Sequence, residues 1–363
     1  MTVTATRIRG ADAGTVRRAL AAGDPHPGTT GFAGLLDGRL VRDVLGRRPV
    51  FGTPADWGFA PGDVAGDPSP VPAGHVREAD GTDRRVWSLP DPPVAADDAA
   101  AVVALTRALD DSLSMLRDDG LAVAFSGGVD SALVAAGAPD APCYVAGFPE
   151  AHDVAAARDA AAAMGRGLRV VELDHDELVR AVPEVVAATG RTNAMDVSIA
   201  LPLYLVAERV AADGFDRLAL GQGADELFGG YAKVVDPATD DRVDATTVRS
   251  ATREVIDGLP DGLERDTLAL RAAGVDPVFP LLADGVVEAA LPLPGHLLAT
   301  GAERKVALRR AAADWLPESV VAADKKAVQY GSLVSRELDR LARQAGFKRR
   351  MDRHVDRYVE SLL

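Results

Sequence analysis

The sequence predicts an α/β protein: a parallel twisted sheet with flanking helices, preceded by a small β-rich N-terminal domain and followed by a helical C-terminal annex. Three observations carry this. From Ala101 onward, short and nearly continuous apolar runs alternate with alanine-rich helical stretches, the texture of a parallel sheet with crossover helices. Before that, the first ~95 residues are rich in Gly, Pro and short apolar stretches, and they end in the proline cluster SLPDPPVAADDAA. After Tyr231 the alternation stops and segments spaced like amphipathic helices take over. The expected division is therefore 1–95, 96–345 and a C-terminal helical tail, 346–363.

In chain order, the strands expected in the central domain are LAVAF (Leu121 to Phe125), CYVAGF (Cys143 to Phe148), LRVVEL (Leu168 to Leu173) and DRLAL (Asp216 to Leu220). Their apolar character suits strands buried on both faces. Helices are expected to begin near Ser131, His152, Asp176 and Asp196, and in the annex to include VVEAAL, ERKVALRRAAADWL and SLVSRELDRLARQ. The arginine-rich stretch from Lys348 to Arg357 reads as a solvated helix face.

Composition narrows the function classes. With 363 residues, 47% of them hydrophobic, the chain can bury a large core and a smaller one. It contains no apolar run of about 18 residues, and MTVTATRIRG lacks the apolar core of a secretory signal, so a cytoplasmic protein without a membrane span is expected. Acidic residues outnumber basic ones 54 to 40, for a net charge of −14, which disfavours a nucleic-acid partner. Only five of the basic residues are lysines: Lys233, Lys305, Lys325, Lys326 and Lys348. That skew, with the excess of Ala and Asp, suggests a salt-adapted cytosol. The single cysteine, Cys143, excludes a disulfide within this chain and a cysteine-rich metal site, and reads as a small core residue.

The strongest chemical signal is SGGVDS, Ser126 to Ser131, between a strand and a helix. Small residues there let backbone amides approach a phosphate chain, the helix N-terminus adds partial positive charge, and the hydroxyls of Ser126 and Ser131 can donate hydrogen bonds. Asp130 would repel phosphate unless a divalent cation lay between them, so it reads as a magnesium ligand. A second glycine-rich string, LGQGADELFGGY (Leu220 to Tyr231), follows the strand DRLAL and reaches the same carboxyl edge, where ligands of such sheets bind. Its adjacent acids, Asp225 and Glu226, offer a second metal ligand and an orienting carboxylate.

SGGVDS resembles the pyrophosphate loop of the ATP pyrophosphatase superfamily, whose fold is the adenine nucleotide alpha hydrolase-like sheet. It lacks the lysine of a Walker loop, which serves chemistry at the γ phosphate. GQGADELFGGY resembles the asparagine synthetase signature, and the similarity runs from about Leu121 to Gln329 through GFPEAHDVAAARDAAAAMG, DVSIALPLYLVAERV, VFPLLADGVVEAALPLPGHL and ERKVALRRAAADWLP. The resemblance implies ATP and Mg2+ as cofactors. Ser126, Gly127, Gly128, Asp130 and Ser131 would hold pyrophosphate, Val145 and Phe148 would lie beside adenine, and Gly223 near the nucleotide. Asp130 and Asp225 would be the metal ligands. Lys326, in DKKAVQYGS, would stabilise charge at the reacting centre; for Lys305 two readings stay open, an approach to phosphate and a surface salt bridge.

One position departs from the family. Gln222 stands where asparagine synthetases carry a glutamate, and an amide cannot act as a general base. The N-terminal strings LLDGRLVRDVLGRRPVFG, PVPAGHV and RVWSLP resemble the last part of a class II glutamine amidotransferase domain, without its catalytic cysteine; Thr2 as a terminal nucleophile is disfavoured for want of a glutamine pocket. The resemblance therefore implies a ligase that joins a small carboxylate, aspartate first, to ammonia that is free or delivered by a separate glutaminase subunit, with a homodimer among the expected assemblies. Two other readings stay open: an amide synthetase for another acid or amine, and a non-catalytic nucleotide-binding partner subunit.

Overall fold

In the computed structural model, which describes residues 6–117, 119–323 and 332–363, the chain forms two compact units that interleave along the sequence. The first takes the described residues up to Leu116, with Gly221–Glu264 and Phe279–Asp314; the second takes those of Arg117–Leu220, Arg265–Val278 and Trp315–Leu363. These are units of packing, and the domain boundaries at 95 and 345 stay a proposal.

The first unit opens with strand β1 (Arg7–Arg9), β2 (Ala33–Leu36), β3 (Arg39–Arg42), the hairpin β4 (Phe51–Thr53) and β5 (Asp56–Gly58), then β6 (His75–Arg77) and β7 (Asp83–Arg85). All pair antiparallel, in the order β1-β2-β3-β6-β7 with β4-β5 apart. The Asp37-Gly38 dipeptide makes the turn between β2 and β3, both residues at positive φ, as a two-residue hairpin with right-handed strand twist demands. Ala33, Leu35, Leu40, Val50 and Val71 form a buried cluster with Trp57 packed on it. The helix Asp98–Ser114 starts where the Asp97 carboxylate accepts from the amides of Ala99 and Ala100, and it packs against Asp284–Ala290 and Val306–Ala312.

A buried ion cluster ties the N-terminal sheet to the later part of this unit. Arg47 is fully buried; its Nε donates to Asp43 at 2.8 Å and its Nη1 lies 2.7 Å from Asp284 Oδ1 and donates to the Leu282 carbonyl at 2.7 Å. The other Asp284 oxygen accepts from the amide and hydroxyl of Thr29, at 2.7 and 3.0 Å. A buried guanidinium is tolerated only when so surrounded.

The second unit contains β8 (Leu121–Ala124), β9 (Cys143–Gly147), β10 (Leu168–Glu172), β11 (Arg217–Ala219) and β12 (Asp276–Val278), all parallel, in the order β10-β9-β8-β11-β12. The chain winds outward from β8 to β10, then returns to the other side of β8, so the order reverses between β8 and β11. Helices Val129–Gly137, His152–Ala163, His175–Thr189 and Ala194–Ala212 connect the strands, starting within two residues of the expected positions. Val334–Gln344 and His354–Glu360 pack on Ala194–Ala212.

Three details differ from expectation. β12 is a fifth strand; it is three residues long and carries Pro277, which the sheet accepts because β12 is an edge. β10 is the opposite edge and is only partly buried: exposed Arg169 bonds the Tyr144 hydroxyl and Asp213. The stretch from Lys348 to Arg357 is helical only from His354, and Arg349 and Arg353 are engaged by Asp339 and Asp356. No described helix is long and apolar enough to cross a membrane.

Removing one member of the buried ion cluster strands the others. Asp284→Ala is expected to lower the stability of the first unit by about 3–5 kcal/mol, read from the denaturant midpoint. His26 is buried beside the same cluster, and burial pushes its imidazole below the ordinary 6.5, against the opposing pull of Asp284. The unfolded chain therefore takes up that proton first, so stability is expected to fall as pH drops below 6.5, and His26→Gln to flatten that slope in denaturation at pH 7.5 and 5.5.

Candidate functional site

In the second unit, β8 ends beside β9, where Phe125 donates its amide to the Tyr144 carbonyl at 2.7 Å, and the chain turns at once through Ser126, Gly127 and Gly128 into helix Val129–Gly137. The turn closes on itself. Ser131 Oγ accepts from the Ser126 amide at 3.1 Å, donates to the Gly128 carbonyl at 3.1 Å, and lies 3.3 Å from the Ser126 hydroxyl. Gly127 has φ +78°, and a Cβ there would stand 2.5 Å from the Ala156 carbonyl oxygen, so only glycine lets the turn seat against helix His152–Ala163. Asp130, in the first helical turn, is 2% exposed.

Val145 lies buried in β9, and Phe148 directly follows that strand, its amide donating to the Ser332 carbonyl at 3.3 Å. The Phe148 ring rests on the His175 ring at 5.6 Å. His175 Nε2 lies 2.7 Å from Glu337, whose carboxylate also accepts from Arg336 and Arg340. Burial raises the Glu337 pKa, but the bonds from His175 and Arg336 outweigh it and hold the carboxyl below its ordinary range. The sequence gives no sign of the His175–Glu337 pair, because the two lie 162 positions apart.

In the first unit, Gln222 and Gly223 form the turn before the short helix Ala224–Leu227. Gly223 has φ +93°, and a Cβ there would run into Leu282. Glu226 folds back to accept from the Gly223 amide at 3.1 Å and the Tyr231 hydroxyl at 2.6 Å, which gives it the orienting task of the two acids. Burial, then the neighbouring Asp225, pushes its pKa up. Asp225 Oδ1 sits 2.6 Å from the ammonium of Lys305, a residue 5% exposed. Lys305, expected near phosphate, is thus placed on an acid. A Cβ on Gly230 would collide with both the Asp225 carboxylate and the Lys305 side chain, so the second glycine of the GGY string makes room for this pair.

The structure therefore gathers Ser126, Gly127, Gly128, Asp130 and Ser131 in one turn and the start of its helix, with Val145 on the neighbouring strand and Phe148 just after it, and joins Asp225 to Lys305. Lys326 lies outside the described residues. The two motifs follow β8 and β11 in sequence, strands that are adjacent and parallel. Among the described residues, no three His, Cys, Asp or Glu side chains form a ready metal cage. Magnesium asks less of a protein than such a cage: one or two carboxylates, with phosphate oxygens and water in its remaining positions.

Gly230→Ala is expected to part Asp225 from Lys305 and destabilise the first unit by about 1–3 kcal/mol. Gly62→Ala, where a Cβ meets open space, should change the unfolding midpoint little.

The family model described as asparagine synthase matches residues 104–255 and 240–360. A Methanocaldococcus jannaschii protein named as a glutamine-hydrolysing asparagine synthetase is 29% identical over 290 residues, 69% of this chain and 53% of its own length. Asparagine synthetase B of Escherichia coli is 25% identical over 147 residues, 35% of this chain and 26% of its own. A Mycobacterium tuberculosis protein of similar name is 32% identical over 194 residues, 50% of this chain and 29% of its own. The matched stretch thus spans about half the length of the first relative and under a third of the other two.

Proposed function

The chain belongs to the asparagine synthase family, and from that premise we propose that it is a carbon–nitrogen ligase that activates a small carboxylate with ATP. In this reading a carboxylate oxygen attacks the α phosphorus, pyrophosphate leaves, and ammonia displaces AMP from the acyl adenylate to give the amide. The observation that carries the reading is the closed glycine-serine turn between β8 and its helix, at the strand where the sheet order reverses, the place where open α/β sheets bind ligands.

Ser126, Gly127, Gly128 and Ser131 hold the pyrophosphate in this proposal, Val145 and Phe148 flank adenine, and Gly223 approaches the nucleotide. Asp130 and Asp225 would hold magnesium, which would supply neutralisation of phosphate charge. Lys305 answers phosphate, and Lys326 answers charge at the reacting centre. The one cysteine, Cys143, is buried in β9 with its thiol pushed up by burial, so it supplies no glutaminase nucleophile. In this reading nitrogen comes from free ammonia or from a separate glutaminase subunit, and the enzyme works in the cytoplasm.

Aspartate is the first acid to test. Gln222 supports the second reading, another acid or amine, because its amide cannot take a proton from the attacking nitrogen. The decisive assay is pyrophosphate release from MgATP with ammonium and a panel of acids, with product masses. Release with aspartate and formation of asparagine is expected; release with a different acid keeps the chemistry and moves the substrate. Asp130→Asn, Asp225→Asn and Lys326→Ala should each lower release by about 10²-fold or more. ATP binding without release for any acid would turn the reading to a nucleotide-binding partner subunit.

A further inference from the structure

Lys305 is held in place at a cost to its backbone. It is one of five lysines in the chain and is buried, and it occupies the left-handed region at φ 59°, ψ 38°, at the start of helix Val306–Ala312. Its ammonium reaches Asp225 at 2.6 Å. The surroundings are shaped to keep the two together. Gly230 leaves the space that both side chains fill, its amide donates to the Asp225 carbonyl at 2.8 Å, and its carbonyl accepts from Arg304, the residue before Lys305, at 2.9 Å. A surface ion pair of the ordinary kind has no such frame.

An ammonium and a divalent cation compete for the same hard carboxylate oxygen. We propose that Lys305 is a resident counter-ion that stands in for the second magnesium: it neutralises Asp225 in the nucleotide-free protein and moves to the phosphates when MgATP binds, handing the carboxylate to the metal. The proposal rests on the assignment of Asp225 as a metal ligand. It makes the second metal and the nucleotide enter together, because the metal alone would have to displace a buried, framed ammonium with no phosphate to receive it. Lys305 is thereby a positioning residue that sets binding order.

Two measurements test it. With [15N]lysine in the wild-type protein there are five side-chain signals, and the Lys305 signal is assigned by its loss in Lys305→Arg. Mg2+ alone should leave that signal unmoved, and Mg2+ with α,β-methylene-ATP should shift it. A shift with Mg2+ alone, or none when the bound analogue is present, overturns the proposal. In the second measurement, electron paramagnetic resonance reads Mn2+ binding to the nucleotide-free protein, and Lys305→Met should bind at least about tenfold more tightly than wild type. Equal affinity in a folded variant overturns the counter-ion role. Adding Asp225→Asn to Lys305→Met should abolish the gain; a gain that survives means that Asp225 is not the ligand, so it is the underlying assignment that fails.

Discussion

A guanidinium without access to water must be met on several sides by acceptors, and in the first unit Arg47 imposes that condition. Its partners are Asp43, just after β3, and Asp284 and the Leu282 carbonyl more than two hundred residues later. The consequence reaches the glycine-rich motif. Leu282, whose carbonyl is fixed by Arg47, presses its side chain where a Cβ of Gly223 would lie, and Gly223 opens the turn that carries Asp225. A residue in the N-terminal segment thus helps define the backbone of a glycine-rich motif far along the chain.

The two motifs share a physical logic. Each uses glycine where a neighbour leaves no room for a side chain: Gly127 against the Ala156 carbonyl, Gly230 against the Asp225–Lys305 pair. Each also closes on itself by side-chain bonds, Ser131 to Ser126 and Glu226 to Gly223. Such turns are fixed by the chain's own bonds, which in the proposed ligase reading would serve catalysis by positioning and charge.

Much of this was legible in the sequence because it is local. Four of the five parallel strands announce themselves as apolar runs, and the helices that follow begin at recognisable caps such as Asp174 and Asn193. β12 was not legible, since three residues including a proline carry no period, and pairing with β11 alone makes them a strand. At the candidate site the glycines and acids stood out by type and spacing. Their pairings did not: Lys305 lies 80 positions after Asp225, and His175 meets Glu337 across 162. Long-range partners of this kind leave no periodic trace, so the chain shows which residues carry charge and conceals which charge each one answers.

The interleaving of the units bears on how the protein is made. The Leu282 carbonyl that Arg47 needs lies 235 residues downstream. A ribosome adding roughly 5–20 residues each second needs on the order of 10–50 s to deliver it. Through that interval the N-terminal sheet carries a cation destined for the interior without its full set of partners, while the stretch that builds β8 to β11 emerges complete. Strands β8 to β11 can therefore pair before Arg47 meets its last acceptors, whereas β12 and the C-terminal helices of the same unit emerge with those acceptors or after them.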